Sequence, residues 1–362
     1  VDIFDLMDDE GHEQVIFCHD PRAKLKSIIA IHDTTLGPAL GGTRMWPYRN
    51  TQEALIDVLR LSEGMTYKAS VAGLALGGGK AVIIGDPKTE KTEELLRAHG
   101  QFVDTLCGRY ITAEDVGISV DDMEFVYQET KYVTGIESSP RGSGDPSPVT
   151  AFGCYHGIKA SCLKKLGSDD LKGVRVAVQG AGHVGYYLCQ DLAAEGAIIT
   201  ITDIEPSKVK KVVDDFGATA VEPEAIYDVE CEVFAPCALG AIINDRTVRR
   251  LRCQIVAGAA NNQLAEDRHG DALDARGILY APDYVINAGG LINVYSEIVG
   301  YDHDTSMQKA RGIYDTLLSI FDIAEEEKIP SYKAADWLAC QRLREAREET
   351  EKHDEISAPA PV

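Results

Sequence analysis

A chain of 362 residues with 44% apolar side chains is long enough for two ordinary domains with real cores. Acidic residues exceed basic ones by 22, which disfavours nucleic acid and anionic membranes as partners. The cysteines are scattered, with no C-x-x-C pair and no Cys/His cluster at zinc spacing, so neither a disulfide framework nor a metal site is expected. The acidic start Asp8-Asp9-Glu10 does not suit a targeting peptide, and no apolar run approaches the roughly 20 residues of a membrane span, so a cytoplasmic protein is expected.

Up to about residue 146, strand-like runs (Ser27 to Asp33, Ala81 to Gly85, Tyr110 to Ala113) mix with helical ones. In one helical stretch Ala54, Val58, Leu61 and Met65 recur on one face, and the next step of three meets Lys68. Burying an ammonium is costly, and snorkelling at the helix end is the plain alternative. Lys80 is a second oddity. It ends Gly77-Gly78-Gly79 and precedes the apolar Ala81-Val82-Ile83-Ile84. A phosphate loop is excluded, because Leu74 stands where its first glycine belongs and Ala81 where a Ser or Thr is needed. The three glycines are expected to let a small substrate lie against the backbone. Two neighbouring ammonium groups in a partly desolvated cleft repel, which lowers the pKa of one and makes it a base near neutrality. Asp115 follows a short strand-like run. It is either the acid that balances this charge and passes protons or an ordinary loop acid.

The segment from Ser138 to Pro148 is rich in Gly, Ser and Pro and reads as a hinge. Ser147-Pro148 predicts an N-cap and first position of a helix reaching about Leu166. Strands and helices then alternate: Val174 to Gln179, Val184 to Glu195, Ile198 to Asp203, Ser207 to Phe216. Short strand-like runs follow at Val233-Phe234-Ala235, Ile255-Val256-Ala257 and Tyr284-Val285-Ile286. This alternation implies a parallel sheet covered by helices. Helical sequence returns over Ser306 to Glu327 and Ala334 to Glu351, and the final Ser357 to Val362 is expected to be disordered.

Gly180-Ala181-Gly182-His183-Val184-Gly185 is a G-x-G-x-x-G run that follows a strand and opens a helix, the context a dinucleotide site requires. Gly180 permits the tight turn, Gly182 lets the backbone approach a pyrophosphate, and Gly185 allows close helix–strand packing. The helix N-terminus offers free N–H donors to the phosphates. Asp203 ends the next strand, where an acid binds the adenosine ribose, and no cation follows before Lys208. NAD is therefore expected rather than NADP. His183 reads as a variable turn position.

These motifs resemble the leucine dehydrogenases, within the glutamate/leucine/phenylalanine/valine dehydrogenase superfamily, over nearly the whole chain from Phe4 to about Arg347. The most specific pieces are Thr35 to Arg44 (TLGPALGGTR), Gly64 to Lys68 (GMTYK), Leu76 to Lys80 (LGGGK), Tyr110 to Gly117 (YITAEDVG), Gly258 to Gln263 (GAANNQ) and Pro282 to Gly290 (PDYVINAGG). The resemblance implies an α/β fold of two domains with a cleft between them. A mixed α/β substrate-binding and oligomerisation domain would span 1–146, with helices at about 330–352 packing back on it. A Rossmann-type NAD-binding domain would span 147–329, and 353–362 would form a flexible tail. It further implies that Lys68 holds the substrate carboxylate, Lys80 activates water and Asp115 assists proton transfer. Gly41, Gly42 and Met65 would line the substrate and Asn262 would meet its amine or carboxylate. Thr150, Asn261 and Asn287 would sit beside the nicotinamide, with Ala238 and Ala260 also on the cofactor.

The reaction implied is reversible NAD-dependent deamination of an L-amino acid to a 2-oxo acid and ammonia by a homo-oligomer. Leu40 and Val294 stand where a glutamate enzyme needs a cation and a hydroxyl, and with Ala113 and Leu291 they imply a branched aliphatic substrate. Departures from the family pattern are Leu291, Ala69 and Asp145. A phenylalanine enzyme is the alternative within the class. A non-catalytic NAD-binding protein is the alternative outside it, and would be expected to lack one of Lys68, Lys80 and Asp115.

Overall fold

Apolar strands flanked by amphipathic helices build two separate sheets in the chain, which is described by a computed structural model over residues 2–136, 144–300 and 302–357. Two compact units result. The first takes the described residues up to Gly144 together with 297–300 and 339–357, and the second takes 145–296 and 302–338.

The first unit runs α1 (Ile3–Glu10), β1 (Gln14–Asp20), β2 (Leu25–Asp33), β3 (Ala39–Trp46), α2 (Thr51–Val71), β4 (Gly77–Ile84), α3 (Glu93–Asp104), β5 (Tyr110–Glu114) and α4 (Val120–Tyr127). Its five-stranded sheet has the order β1-β2-β4-β3-β5. β1, β2 and β4 pair antiparallel, and β3 pairs parallel with both β4 and β5. Both faces of the centre are covered, so β2 and β4 are buried almost throughout rather than on alternate residues. Ile28, Ala30 and Val82 pack on Ala54, Leu55, Val58 and Leu59 of α2. Ile29, Ile31 and Ala81 face the other way, towards Val103 of α3 and Tyr110. Strand alternation therefore places Lys80, two residues before Val82, on the α2 face.

The glycines before Lys80 have a structural cause that the sequence reading did not supply. A Cβ at Gly77 would lie 2.0 Å from the Asp33 carbonyl oxygen, one at Gly78 would lie 2.1 Å from the Thr66 nitrogen, and one at Gly79 would lie 2.7 Å from the Tyr110 ring. The expected space for substrate is filled by the protein itself, which seats α2 and its neighbours directly on β4. The stripe on α2 is also displaced from expectation. Its buried row is Ala54, Leu55, Val58, Leu59, Ser62, Thr66, Ala69 and Ser70, whereas Leu61, Met65 and Lys68 form a half-buried shoulder.

The second unit begins with α5 (Ser147–Leu166) and continues β6 (Arg175–Gln179), α6 (His183–Ala194), β7 (Ile198–Thr202), α7 (Pro206–Phe216), β8 (Thr219–Ala220), a 3-10 turn (Ala225–Asp228), β9 (Val233–Pro236) and β10 (Ile255–Val256). It ends with α8 (Arg268–Ala275), β11 (Leu279–Tyr280), α9 (Asp283–Ile286), α10 (Gly289–Val299), α11 (His303–Arg311), α12 (Ile313–Glu327) and α13 (Ser331–Ser357). All strand pairs are parallel and the order is β11-β10-β9-β6-β7-β8. In chain order that is the 3-2-1-4-5-6 arrangement of a doubly wound dinucleotide fold, with its switch point between β6 and β9.

Several local readings are corrected. The apolar run Tyr284-Val285-Ile286 lies in the helical turn α9, and the last strand is the earlier Leu279–Tyr280. Ser147 does not cap α5; its N–H donates to Asp145 Oδ1 at 2.9 Å, so Asp145 organises that helix start. The single helix expected over Ser306 to Glu327 is interrupted at Gly312. α13 reaches Ser357, into the stretch read as a tail; its first residues belong to the second unit, and from Ala339 onwards it belongs to the first. Most of the expected hinge, 138–143, lies outside the described residues. Among the described residues no helix is long and apolar enough to cross a membrane.

Candidate active site

Lys80 is 6% exposed on the α2 face of β4. A lysine is tolerated there because a carboxylate meets it: Lys80 Nζ lies 2.9 Å from Asp115 Oδ2. Asp115 follows β5, next to the strand that carries Gly41 and Gly42. β3 and β5 place Gly41 beside Thr112 and Gly42 beside Ala113. A Cβ on Gly42 would come within 2.9 Å of the Asp115 Cβ, and one on Gly41 would meet Met65 at 3.4 Å after first striking the Gly79 oxygen at 1.7 Å. The fold thus gathers Gly41, Gly42, Met65, Lys80, Ala113 and Asp115 in one neighbourhood. Leu40 is buried on the same strand, and Ala113 is half-buried. Lys68 lies half-buried in the last turn of α2, the helix that covers this face.

The electrostatics of this cluster depend on groups to which the sequence reading gave no role. Arg44 Nε donates to the same Asp115 oxygen at 2.9 Å, and Arg44 Nη1 donates to Asp57 Oδ2 at 3.0 Å. Tyr48 and Arg60 also donate to Asp57, at 2.6 and 2.9 Å. Burial is the main influence on Lys80 and pushes its pKa down; Asp115 opposes this and Arg44 reinforces it. Burial would raise Asp115, but Lys80 and Arg44 together hold it below the usual carboxylate range. The result is an ionised carboxylate against a lysine whose neutral form is unusually accessible. Arg44 had a readable signal, since it stands on a strand between buried Thr43 and Met45, where an unpaired guanidinium would be costly.

In the second unit the glycine turn follows β6. Gly180 has φ +109, and a Cβ there would meet Ala238 Cβ at 2.8 Å and Ala238 N at 2.9 Å. Ala238 follows β9, so this contact lies at the sheet's switch point. A Cβ on Gly185 would lie 2.0 Å from the Gly180 oxygen, whereas one on Gly182, the N-cap of α6, would meet nothing within 4 Å. Two glycines therefore serve packing, and the third leaves an open approach to a helix N-terminus, which suits a pyrophosphate. Val184 enters α6, and His183 is largely exposed, 3.4 Å from Asp145. Asp203 Oδ2 accepts the Ala181 N–H at 2.7 Å and its Oδ1 accepts that of Glu205 at 2.8 Å. The following residue is the exposed Ile204, and the next cation along the chain, Lys208, pairs with Glu205 at 3.1 Å.

The other expected cofactor residues also cluster. Asn287 Nδ2 donates to Asn261 Oδ1 at 2.7 Å and approaches the Ala259 carbonyl at 3.3 Å. Just beyond Asn287, the α10 start packs on Thr150: a Cβ on Gly290 would lie 3.1 Å from Thr150 Oγ1. Ala260 is buried, while Asn262 is exposed with φ +49, its carbonyl accepting the Ala241 N–H at 2.6 Å. Leu291 is buried and Val294 half-buried on α10.

Comparison with known proteins agrees with this geometry. Residues 12–132 match the family model of the Glu/Leu/Phe/Val dehydrogenase dimerisation domain, and residues 142–207 and 202–350 match that of the Glutamate/Leucine/Phenylalanine/Valine dehydrogenases. The chain is 56% identical over 345 residues to the leucine dehydrogenase of Thermoactinomyces intermedius, covering 95% of this chain and 94% of that one. It is 49% identical over 338 residues to the phenylalanine dehydrogenase of Caldalkalibacillus thermarum, covering 92% and 91%. The crystal structure of L-tryptophan dehydrogenase from Nostoc punctiforme superimposes with a TM-score of 0.88 at 50% identity, covering 96% of this chain and 99% of that one. The chain belongs to the glutamate/leucine/phenylalanine/valine dehydrogenase family and is an NAD-dependent enzyme of amino-acid oxidative deamination.

Proposed function

We propose that this enzyme acts on L-leucine and other branched aliphatic L-amino acids, with Lys80 as base, Lys68 as carboxylate anchor and Asp115 assisting proton transfer. The observation that carries the reading is the buried Lys80–Asp115 pair at 2.9 Å. A lysine whose pKa is lowered offers more of the free amine that a general base requires. NAD, when bound, accepts the hydride from the substrate Cα. The glycine turn and the α6 N-terminus would hold its pyrophosphate, Asp203 its ribose, and Thr150, Asn261 and Asn287 its nicotinamide end. Neutral Lys80 takes a proton from the water that attacks the resulting substrate imine, and the carbinolamine collapses to a 2-oxo acid and ammonia. Asp115, a carboxylate in the resting pair, steadies the ammonium that forms on Lys80 and assists the proton's onward transfer. Asn262 meets the substrate amine or carboxylate.

Leu40, Ala113, Leu291 and Val294 are the apolar positions proposed to decide side-chain choice. None of them can receive a distal carboxylate, and leaving one buried and unpaired is strongly unfavourable. The identity to leucine dehydrogenases supports the aliphatic reading. A second reading, an aromatic amino acid, is favoured by the similarity to phenylalanine and tryptophan dehydrogenases. A homo-oligomer built through the first unit is part of the proposal, supported by the family description of that region. The test is NADH consumption with ammonia and a panel of 2-oxo acids. The expected order of kcat/KM places 4-methyl-2-oxopentanoate well above phenylpyruvate, and 2-oxoglutarate last. A parent enzyme that prefers phenylpyruvate or indolepyruvate overturns the aliphatic assignment.

A further inference from the structure

The guanidinium of Arg44 makes a planar bridge between two carboxylates. Its Nε reaches Asp115 Oδ2 at 2.9 Å, and its Nη1 reaches Asp57 Oδ2 at 3.0 Å. Lys80 Nζ uses the same Asp115 oxygen, also at 2.9 Å. The two cations are thus held on one atom, from neighbouring strands β3 and β4. Asp57 is fixed in turn by Tyr48 and Arg60, donating to different oxygens at 2.6 and 2.9 Å. The frame runs from the buried lysine to a surface groove of about 590 Å³ lined by Arg44, Tyr48, Asp57 and Arg60. A planar fork can fix the angle of a carboxylate in a way that a point-charge ammonium cannot.

We propose that Arg44, anchored by Asp57, is a positioning residue that locks the Asp115 carboxylate against Lys80 and sets the pH at which Lys80 becomes a free amine. The inference rests on the reading of Lys80 as the base. Its physical content is a pair of opposed effects. The Arg44 charge disfavours a second cation on Lys80 and draws on the Asp115 oxygen that Lys80 uses, while the Asp57 charge acts in the opposite sense. On the remaining elements packed against β4, the charged or titratable groups include His32 and Asp33 of β2, Tyr110 and Glu114 of β5, and Glu63 and Lys68 of α2. His32 bonds to Thr66, Asp33 to Arg347, and the Tyr110 hydroxyl to the Gly41 carbonyl, so these three are committed elsewhere.

The test reads Lys80 directly as well as through activity. The full-length enzyme is trace-acetylated with acetic anhydride across pH 6 to 11, and the labelling of Lys80 is quantified by mass spectrometry. Arg44→Met should raise the labelling midpoint by about one pH unit or more, since a close like charge shifts a pKa on that scale. Arg44→Lys should recover more than half of that shift, and Asp57→Asn should move the midpoint down. The acid limb of the kcat/KM profile should follow the same directions. Opposite shifts from two variants of one frame are not what general loosening produces. The inference is overturned if Arg44→Met leaves the midpoint within about 0.3 units of the parent, or if Arg44→Met and Asp57→Asn shift it the same way. Should Arg44→Met fail to fold, Asp57→Asn carries the test, and a raised or unmoved midpoint overturns the inference. A labelling midpoint that moves while the rate profile stays put upholds Arg44 and removes Lys80 as the base.

Discussion

Gly78→Ala is the sharpest test of how β4 and α2 fit together. The added methyl would lie 2.1 Å from the Thr66 nitrogen, 2.2 Å from its hydroxyl and 2.5 Å from the Ser62 carbonyl oxygen. Two of these neighbours are helix backbone, so α2 must retreat by roughly an ångström to reach van der Waals distance. That retreat strains the bond from Thr66 Oγ1 to His32 Nδ1, now 2.8 Å, and carries Met65 and Lys68 with it. Overpacking of this kind costs about 1–3 kcal/mol or more. At about 2–4 °C per kcal/mol for units of this size, the melting temperature should fall by roughly 2–12 °C. A displacement of about 1 Å at a substrate-holding group costs on the order of 10² in rate, so kcat/KM should drop by that order even well below the melting point. The control is Gly64→Ala on the same helix, where the new methyl meets nothing within 4 Å. It should stabilise by about 0.5–1 kcal/mol through helix propensity alone. Thermal melts by circular dichroism and steady-state kinetics decide the matter. A Gly78→Ala enzyme melting within a degree of the parent would refute the packing account.

Three further outcomes are expected. Asp203→Ala should relax the preference for NAD over NADP, read as the ratio of kcat/KM for the two cofactors, and a parent that uses both equally would remove Asp203 from the ribose. Lys68→Ala should raise KM for the oxo acid as well as lower kcat, whereas Lys80→Ala should lower kcat by about 10² to 10⁴-fold with a smaller change in KM; an active Lys80→Ala enzyme with its pH profile intact would eliminate Lys80 as the base. His99 is fully buried between Ser27 and Thr43, and burial lowers its pKa to about 4. Its neutral form is therefore the folded one, so its contribution to stability is complete above about pH 6.5 and is lost as pH falls from there towards 4. Urea denaturation at pH 7 and pH 4.5 should show His99→Gln losing about 2–3 kcal/mol less than the parent over that interval, and equal losses would refute the assignment.

The second unit was the more legible half because its signals are local. A strand, a glycine turn and a terminal acid occur within thirty residues, and two of the three glycines have a separate steric reason. Tyr284-Val285-Ile286 misled because a three-residue apolar run is equally consistent with a buried strand and a buried helical turn. In the first unit β1 went unread: its residues Gln14–Asp20 lie at a sheet edge and are mostly half-exposed or exposed, and Cys18 alone is buried, so burial leaves little pattern in the sequence. Lys80 and Asp115 stood out individually, and their pairing was anticipated on chemical grounds. Arg44 and Asp57 were invisible as a unit because their relation is set by the packing of α2 across β3, far from any sequence spacing. The triple glycine was noticed for the right residues and the wrong reason, since only the fold reveals that the space beside them is occupied.

The assignment of the last part of α13 to the first unit has a consequence for how the chain is made. Ser70 Oγ donates to the Ala339 carbonyl at 2.9 Å, and Arg342 Nη1 donates to the Ser70 and Val71 carbonyls, each at 2.8 Å. These are contacts between residues about 270 positions apart that close off the C-terminal end of α2. Such long-range closures are slow and come late. On a ribosome the second unit can complete itself first, while the first waits with two helix-end carbonyls and the Asp33 carboxylate uncovered until Arg342 and Arg347 of α13 emerge. Residues of α2 thus reach some of their native partners only after about 270 further residues have been made, and chains cut short before Ala339 should be held by chaperones or degraded rather than accumulate as half-active enzyme.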